Sequence, residues 1–348
     1  MIADIKLLNR LLLSNIIRLP FPYKLSFGVT YKCNLRCQMC FIWKKKGSPE
    51  LSAREIDLFF KRSNDFSWVG LTGGEVFLRD DLPEIAESII ANCKNLCVLH
   101  FPTNGFLTDK ILGNTHAIIG LKPRRLFVTI SIDGPPHIHD KIRGRNGSWS
   151  RAMDTFKGLM KIKKVEPYLS MTLSHSNLGM IDETISSIKK VYKGFDPKER
   201  MNFNIFQRSS HYFENVDMEY PDVELLKSNI RRAMEVLELD KGTNIKSYLQ
   251  KNYLTRCPQY LSDFRSPLPC KALSASCYLD PSGDIYPCGV YGKRIGNVKG
   301  YDFSLRELWE KKEVKRLYHD CKRGNCPGCW TPCDAYQSIN ANLPKLFL

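Results

Sequence analysis

The sequence predicts an α/β fold: a partial, TIM-like (β/α)6 barrel followed by a small cysteine-rich domain. Six short apolar segments alternate with segments of helical periodicity, which is typical of parallel strands joined by crossover helices. From about residue 257 the chain is punctuated by glycine and proline and holds eight of the 13 cysteines. Because six strands are fewer than the eight of a closed TIM barrel, we expect an open barrel.

Strand and helix signals divide the first 240 residues. The six predicted strands are residues 25–30, 68–72, 96–101, 126–132, 168–173 and 201–206. In the helical segment 52–60, Ser52 is a predicted N-cap and Glu55 occupies the capping-box position. Asp81 is predicted to cap the next helix, which has a proline in its first turn. Apolar residues three or four apart predict a further helix over 222–239.

The N-terminal segment predicts an amphipathic helix over residues 4–19, with basic residues between the apolar ones. We expect it to pack on its own domain; the alternative is peripheral membrane contact through residues 4–19. No apolar run approaches the roughly 20 residues that a membrane-spanning helix needs. The predicted domains are residues 1–22 (the helix), 23–221 (the barrel), 222–256 (a helical bridge) and 257–348 (the cysteine-rich domain).

Composition and charge narrow the class of protein. Apolar residues make up 43% of the chain and charged residues 25%, which excludes a disordered or collagen-like protein. The net charge of +16 favours anionic partners. However, we expect the basic residues of segment 141–164 to form a solvated helix face rather than a groove for nucleic acid. Without a signal-peptide pattern, we expect a cytoplasmic protein whose cysteines form no disulfides.

The first group of cysteines predicts a metal site. Cys33, Cys37 and Cys40 form a C-x3-C-x2-C pattern directly after the first predicted strand. Three thiolates at this spacing can hold three corners of a cubane iron–sulfur cluster and leave one iron open for a small molecule. A structural zinc ion would need a fourth nearby Cys or His, which the sequence lacks here. The strand places the group at the carboxyl edge of the sheet, where barrel enzymes have active sites.

Two further motifs end later strands. The sequence Thr-Gly-Gly-Glu, residues 72–75, follows the second strand; its glycines permit close backbone approach to a ligand, and Glu75 offers a carboxylate to an ammonium group. The sequence Ser-Ile-Asp-Gly-Pro, residues 131–135, ends the fourth strand. Together with the cysteine pattern, these motifs closely resemble the radical S-adenosylmethionine (radical SAM) superfamily over about residues 23–210.

This resemblance implies an enzyme that cleaves SAM reductively at a 4Fe–4S cluster. The products are methionine and a 5′-deoxyadenosyl radical, which abstracts a substrate hydrogen. The implied cluster ligands are Cys33, Cys37 and Cys40. The implied SAM contacts are Met39 near the adenine, Gly73, Gly74 and Glu75 at the amino group, and Ser131 at the ribose or carboxylate.

Segment 131–149 resembles the subgroup of anaerobic sulfatase-maturing and peptide-modifying enzymes. That likeness implies that Arg143 pairs with the SAM carboxylate, whereas the alternative is a solvated basic loop. Asp133 is expected either to contact substrate or to cap the turn that follows it. The histidines are expected to be surface or core residues; those considered for catalysis are His137, His139, His175 and His211.

The C-terminal cysteines form a second group. Cys270 is followed by twelve residues, Gly283, four more residues and Cys288, and segment 278–287 predicts a hairpin. Further on stands the series Cys321-x4-Cys326-x2-Cys329-x3-Cys333. This arrangement resembles the SPASM/Twitch extension of radical SAM enzymes, which holds one or two auxiliary 4Fe–4S clusters.

We expect one auxiliary cluster, because the two-cluster form has a seventh cysteine well after the quartet and none follows Cys333. Two clusters, or zinc in place of iron and sulfur, are the alternatives. Five candidates compete for four ligand places: Cys270, Cys288, Cys326, Cys329 and Cys333. The remaining C-terminal cysteines are not expected to be cluster ligands; they are Cys257, Cys277 and Cys321. Cys93 and Cys97 are expected to be small core residues.

The sequence therefore predicts a radical SAM enzyme with an auxiliary 4Fe–4S cluster. It is expected to modify a peptide, protein or small molecule, with a flavodoxin or ferredoxin as reductant. One alternative is an RNA-modifying radical SAM enzyme, which the basic charge favours. The other is a non-catalytic metal-binding interaction protein, against which the motifs at successive strand ends argue.

Overall fold

One nine-stranded sheet organises the chain in the computed structural model, which describes residues 2–45, 47, 49–242 and 244–342. Six parallel strands cross this sheet in chain order, each beside its predecessor. They are β1 (Lys24–Thr30), β2 (Trp68–Gly73), β3 (Val98–Thr103), β4 (Leu126–Ser131), β5 (Val165–Leu173) and β6 (Met201–Ile205). The predicted partial (β/α)6 barrel is confirmed.

Helices connect the strands as crossovers. They are α2 (Ala53–Arg62), α3 (Leu82–Asn92), α4 (Thr108–Gly120), α5 (Pro136–Arg143), α6 (Ser148–Leu159), α7 (Ile181–Val191) and α8 (Pro197–Arg200). The capping box of α2 is confirmed, because Ser52 and Glu55 each accept a hydrogen bond from the other's backbone N–H. Asp81 occupies the predicted N-cap position of α3, but its side chain does not cap the helix: the carboxylate instead accepts two hydrogen bonds from the Arg79 guanidinium, at 2.7 and 2.6 Å.

Two strands begin more than one residue away from the predicted start, because register with the neighbouring strand decides where they begin. β3 begins two residues late, since Trp68 pairs with Val98. β5 begins three residues early, at Val165, which pairs with Leu126 on β4. Local composition gives no signal of either pairing.

The first helix, α1 (Ile2–Ile16), crosses the amino ends of the barrel strands. Ala3 packs with Val98 at the start of β3, and Leu7 and Leu11 pack against Tyr23, just before β1. The helix begins two residues before the predicted start and ends three residues before the predicted end. It ends early because the following residues turn into the core, where the Arg18 guanidinium donates to two backbone carbonyls. No described helix combines the length and apolar character that crossing a bilayer requires.

The C-terminal part continues the barrel sheet. After α9 (Val223–Val236) and α10 (Ile245–Asp263), β7 (Ser276–Leu279) pairs in parallel with β1. β8 (Asp284–Tyr286) pairs antiparallel with β7, which confirms the predicted hairpin, and β9 (Gly296–Asn297) completes the sheet. The chain continues through α11 (Leu305–Trp309), α12 (Lys312–Arg323) and α13 (Pro332–Asn340).

The apolar core is continuous across both parts of the chain. Phe27 on β1 and Trp309 on α11 belong to the same buried cluster, as do Tyr253 and Trp330. The predicted boundary between residues 256 and 257 falls inside α10. The domain limits stay a prediction, but the C-terminal part clearly depends on β1 for a neighbouring strand.

Candidate functional site: two groups of cysteines

The first three cysteines lie on the loop directly after β1, at the carboxyl edge of the sheet. The end of α5 holds this loop: the N–H of Arg36 donates to the carbonyl of Arg143 (3.1 Å), and that of Gln38 to the carbonyl of Ile142 (2.8 Å). The thiols of Cys33, Cys37 and Cys40 are close enough for the charge of one to affect the pKa of another. The predicted trio is therefore brought together.

The thiols suit an incoming metal cluster. Burial raises the pKa of Cys33 to about 11 and that of Cys40 to about 12. Both thiols therefore keep their protons at neutral pH until a cationic metal replaces them. All 13 cysteines of the chain are free. Three converging, partly buried thiols, with no fourth ligand beside them among the described residues, fit an open-cornered 4Fe–4S cluster.

Arg143 is the cation beside this loop. Its Nη1 lies 3.6 Å from Sγ of Cys37, and its Nη2 forms an ion pair with the fully buried Asp133. Burial lowers the pKa of Arg143, but the charges of Asp133 and Cys37 outweigh this effect and raise it overall. The guanidinium is mostly buried, so the alternative of a solvated loop does not describe it. Asp133 orients Arg143 and accepts from the N–H of Thr172 (3.0 Å), rather than capping the next turn.

Glu75 lies at the end of β2 and is buried. Its carboxylate accepts hydrogen bonds from Oγ1 of Thr103 (2.8 Å), the N–H of Asn104 (2.8 Å) and the N–H of Phe77 (3.3 Å). Burial raises its pKa to about 7. The Asn104 amide in turn donates to Oδ1 of Asn34 in the cysteine loop (2.8 Å). Glu75 is thus connected to the first cysteine group, and sequence reasoning missed Asn104 as the link.

Close packing between two strand ends explains why Gly73 and Gly74 are both glycine, which the sequence did not reveal. A β-carbon at Gly73 would lie 2.1 Å from the carbonyl oxygen of Thr30, and one at Gly74 would lie 2.0 Å from that of Lys32. Gly73 also has a φ of +122°, which disfavours other residues. The end of β2 therefore packs directly on the end of β1, and only glycine permits this contact.

The other implied SAM contacts lie at the same edge. Ser131 ends β4, and its half-buried hydroxyl has no hydrogen-bond partner among the described residues. Met39 is half-buried between two of the cysteines, and its carbonyl oxygen accepts from Nδ2 of Asn215 (2.9 Å). Each predicted SAM contact is therefore close to a strand end or to the cysteine loop.

The segment between β6 and α9, residues 206–222, contacts both cysteine groups; we call it the bridging loop. The Tyr212 hydroxyl lies within hydrogen-bonding distance of Oγ1 of Thr72 (2.6 Å) and of the backbone N and O of Gly73 (3.1 and 2.9 Å). Its ring faces Gly289, beside Cys288. The carbonyl of Phe213 accepts from the N–H of Phe41, next to Cys40 (2.8 Å). No local pattern marks Tyr212 as a site residue.

The C-terminal cysteines converge on a second site. The ligand atoms of Cys288, Cys329 and Asp334 lie within 4.8 Å of one another. Burial is the main cause that raises the pKa of the Cys270 thiol. The charges of Cys288 and Cys326 raise this pKa further, so the three thiols lie close together. Asp334 is a member that sequence reasoning missed, although it adjoins a cysteine of the series.

Cys321 and Cys333 differ from what the spacing of the C-terminal cysteines predicts. The Cys321 thiol, which the spacing makes surplus, donates a hydrogen bond to Cys326 and lowers the pKa of Cys326 to about 6. Cys333 is exposed, unlike the others. The remaining surplus cysteine thiols are core residues: Cys257 donates to the carbonyl of Tyr253 (3.4 Å), and Cys277 is buried on β7. Cys93 and Cys97 are also buried among apolar residues, as expected.

The two cysteine groups lie toward opposite ends of β1. Cys33 follows the carboxyl end of this strand, whereas Lys24 at its amino end donates to the carbonyl of Cys333. A strand of seven residues separates points about 20 Å apart. The charges of Cys40 and Cys333 both raise the pKa of Tyr212, so the bridging loop lies between the two cysteine groups.

Comparison with known proteins identifies the class. Residues 28–193 match the radical SAM superfamily, and residues 270–334 match SPASM, an iron–sulfur cluster-binding domain. The chain therefore carries a radical SAM domain and a C-terminal SPASM domain. A radical SAM domain binds SAM and a 4Fe–4S cluster, and a SPASM domain binds auxiliary iron–sulfur clusters.

Three relatives illustrate the range of the family. The chain is 22% identical over 325 residues to the antilisterial bacteriocin subtilosin biosynthesis protein AlbA of Bacillus subtilis, covering 88% of this chain and 66% of AlbA. It is 25% identical to the AdoMet-dependent heme synthase of Methanosarcina barkeri, covering 88% of each. It is also 25% identical to the cysteine-type anaerobic sulfatase-maturating enzyme of Clostridium novyi, covering 86% and 84%.

Solved structures agree on the fold. Native anSMEcpe with bound AdoMet superimposes with a TM-score of 0.63 over 94% of this chain and 98% of that one, at 18% identity. Streptococcus suis SuiB superimposes with a TM-score of 0.61 over 91% and 74%, at 15% identity. At this level of identity the likeness supports the architecture alone.

Replacement of Cys37 by alanine is expected to abolish SAM cleavage, because a methyl group cannot replace a thiolate corner of the cluster. Production of 5′-deoxyadenosine under anaerobic conditions with SAM and dithionite measures this. Cys97→Ala, in the core, serves as the matched control and should retain cleavage. Undiminished production by Cys37→Ala would contradict the ligand assignment.

Glu75→Gln is expected to weaken SAM binding by about tenfold or more while iron stays bound. The change removes a charged acceptor, whose hydrogen bonds each contribute about 1.5–3 kcal/mol, but no metal ligand. Equilibrium binding of SAM and iron analysis of the same preparation measure the two effects. Loss of the N-terminal cluster would show that Glu75 has a different role.

Tyr212→Phe is expected to weaken SAM binding about threefold to tenfold, because the hydroxyl that holds Gly73 contributes about 0.5–1.5 kcal/mol. Iron content should not change. Tyr192→Phe is the matched control, since the Tyr192 ring packs on Phe156 and its hydroxyl has no hydrogen-bond partner among the described residues. Equal SAM affinity in the two variants would remove Tyr212 from the site.

Proposed function

We propose that this chain is a cytoplasmic radical SAM enzyme that removes a hydrogen atom from a C–H bond of a peptide or protein substrate. The observation that carries the proposal is the convergence of three free thiols, the Arg143 cation and the Glu75 carboxylate at one edge of the barrel. Free thiols also suit the reducing conditions of the cytoplasm.

In this proposal Cys33, Cys37 and Cys40 hold the cluster that binds SAM. The bound cluster and SAM supply a 5′-deoxyadenosyl radical that takes the substrate hydrogen. Arg143 balances the negative thiolates, and Asp133 keeps its guanidinium in place through the ion pair. Glu75 keeps the end of β3 against the cysteine loop and offers its buried carboxylate to the SAM amino group.

We assign one auxiliary 4Fe–4S cluster to Cys270, Cys288, Cys326 and Cys329. Contact between Cys288 and Cys329, and the closeness of Cys270 to Cys288 and Cys326, support this choice. Cys321 then acts as a hydrogen-bond donor to Cys326, and Cys333 lies outside the set. Such a cluster would accept the electron that substrate oxidation releases. A flavodoxin or ferredoxin is the proposed external reductant.

Relatives support the class of substrate. AlbA is named for bacteriocin biosynthesis, and the Clostridium novyi relative for maturation of sulfatases. These names favour a peptide or protein substrate. A small molecule is the second candidate, because the heme synthase matches an equally large share of this chain.

Anaerobic incubation with SAM and dithionite tests the proposal. We expect 5′-deoxyadenosine to form, and its yield to rise when the true substrate is added. Bound iron without any 5′-deoxyadenosine would favour a non-catalytic metal-binding protein. Retention on RNA that depends on SAM and survives raised salt would favour an RNA-modifying enzyme.

Cys288→Ala is expected to leave uncoupled SAM cleavage measurable but to abolish substrate turnover, because the first cluster has its own ligands. Iron should fall from about eight to about four atoms per chain, as two 4Fe–4S clusters become one. The variant should also be less soluble, since metal helps to hold this segment together.

Cys257→Ala is the matched control, because this buried thiol donates to the carbonyl of Tyr253 in its own helix and has no other partner among the described residues. Its iron content should equal that of the unaltered chain. A starting value near twelve irons would reveal a second auxiliary cluster. Unchanged iron in Cys288→Ala would remove Cys288 from the ligand set.

A further inference from the structure

The outward face of α1 is apolar. Five large side chains along it leave about half or more of their surface exposed: Ile5 (52%), Leu8 (55%), Leu12 (49%), Leu13 (47%) and Ile16 (83%). Ile5, Leu8, Leu12 and Ile16 are spaced three or four residues apart and so form one stripe. Large exposed apolar stripes of this kind are typical of surfaces that contact another protein or a membrane.

The barrel holds α1 rigidly enough to present this stripe. On the inner face, Ala3 and Leu7 pack on the starts of β2, β3 and β4. Ion pairs tie the helix to the barrel on both sides, Arg10 with Asp65 and Asp4 with Arg124. The stripe therefore lies at the amino end of the barrel, opposite the first cysteine group.

Lysines surround the same end of the barrel. The loops that lead into β3, β4 and β5, residues 93–97, 121–125 and 160–164, contain no acidic residue. Six exposed lysines on α1 and these loops form no ion pair among the residues that the structure describes; they are Lys6, Lys94, Lys122, Lys161, Lys163 and Lys164. Arg124 and Arg125 are paired, with Asp4 and Glu166. Among the described residues of α1 and these three loops, the unpaired charge is thus wholly positive.

We propose that the amino end of the barrel is a peripheral membrane-binding surface for anionic lipid. The apolar stripe of α1 would enter the boundary between headgroups and acyl chains, and the lysines would contact lipid phosphates. The positive charge of the exposed lysines complements the negative charge of anionic lipid, which favours a lipid surface as the partner. A second copy of the chain would bring one lysine-rimmed face against another, which like charges oppose. The surface faces away from the first cysteine group, so lipid binding leaves that edge open to substrate.

Sedimentation of the purified full-length protein with lipid vesicles tests this inference independently of SAM chemistry. We expect binding to vesicles of equal parts phosphatidylcholine and phosphatidylglycerol, little binding to phosphatidylcholine alone, and weaker binding at raised salt. Leu8→Gln combined with Leu12→Gln should lower the partition coefficient by about tenfold or more. Lys163→Gln combined with Lys164→Gln should lower it by about tenfold.

The chain supplies a closely matched control. Leu225 on α9 is 48% exposed, against 49% for Leu12, so Leu225→Gln removes the same apolar contact elsewhere. This variant should bind vesicles normally, and circular dichroism should show all variants folded. Absence of binding by the unaltered protein, or equal loss in Leu225→Gln, overturns the proposal. So does a dimer that dissociates in the Leu8 and Leu12 variant without any vesicle binding, since the stripe would then join two copies.

Discussion

The pairing of β1 with strands on both sides is the constraint on which the structure depends. β1 pairs in parallel with β2 and with β7, so the barrel and the C-terminal hairpin share one central strand. The first cysteine group follows the carboxyl end of β1, and the second lies near its amino end. The two groups therefore lie toward opposite ends of a strand about 20 Å long.

Buried polar contacts then stabilise the first site. Taking Arg143, Asp133 and Glu75 out of water is costly unless each charge finds partners, and each does so. Because these partners come from β3, β5 and the cysteine loop, the site exists only when several strand ends are aligned. The same contacts hold the thiols together before any metal arrives, which lowers the ordering cost of cluster binding.

The two ends of the barrel have different surfaces. The first cysteine group, its polar partners and the glycine contacts occupy the carboxyl end, whereas α1 and the lysine-bearing loops occupy the amino end. This division follows from parallel strands, since every helix-to-strand connection must enter at the amino end. A chain that binds SAM at one end can thus contact a lipid surface at the other without conflict.

The sequence by itself determined the alternation of strands and helices, the capping box at Ser52, the predicted hairpin and both cysteine groups. Apart from the second cysteine group, which spans residues 270–333, these features depend on neighbours within about a dozen residues, so local spacing encodes them. Only the tertiary structure decided the pairing of β7 with β1, the contact of Arg143 with Cys37, and the position of Tyr212 at Gly73, 139 residues away. It also decided that Asp81 binds Arg79 instead of capping α3. Strand order, register and competition between partners settle such contacts, and these are properties of the folded chain as a whole.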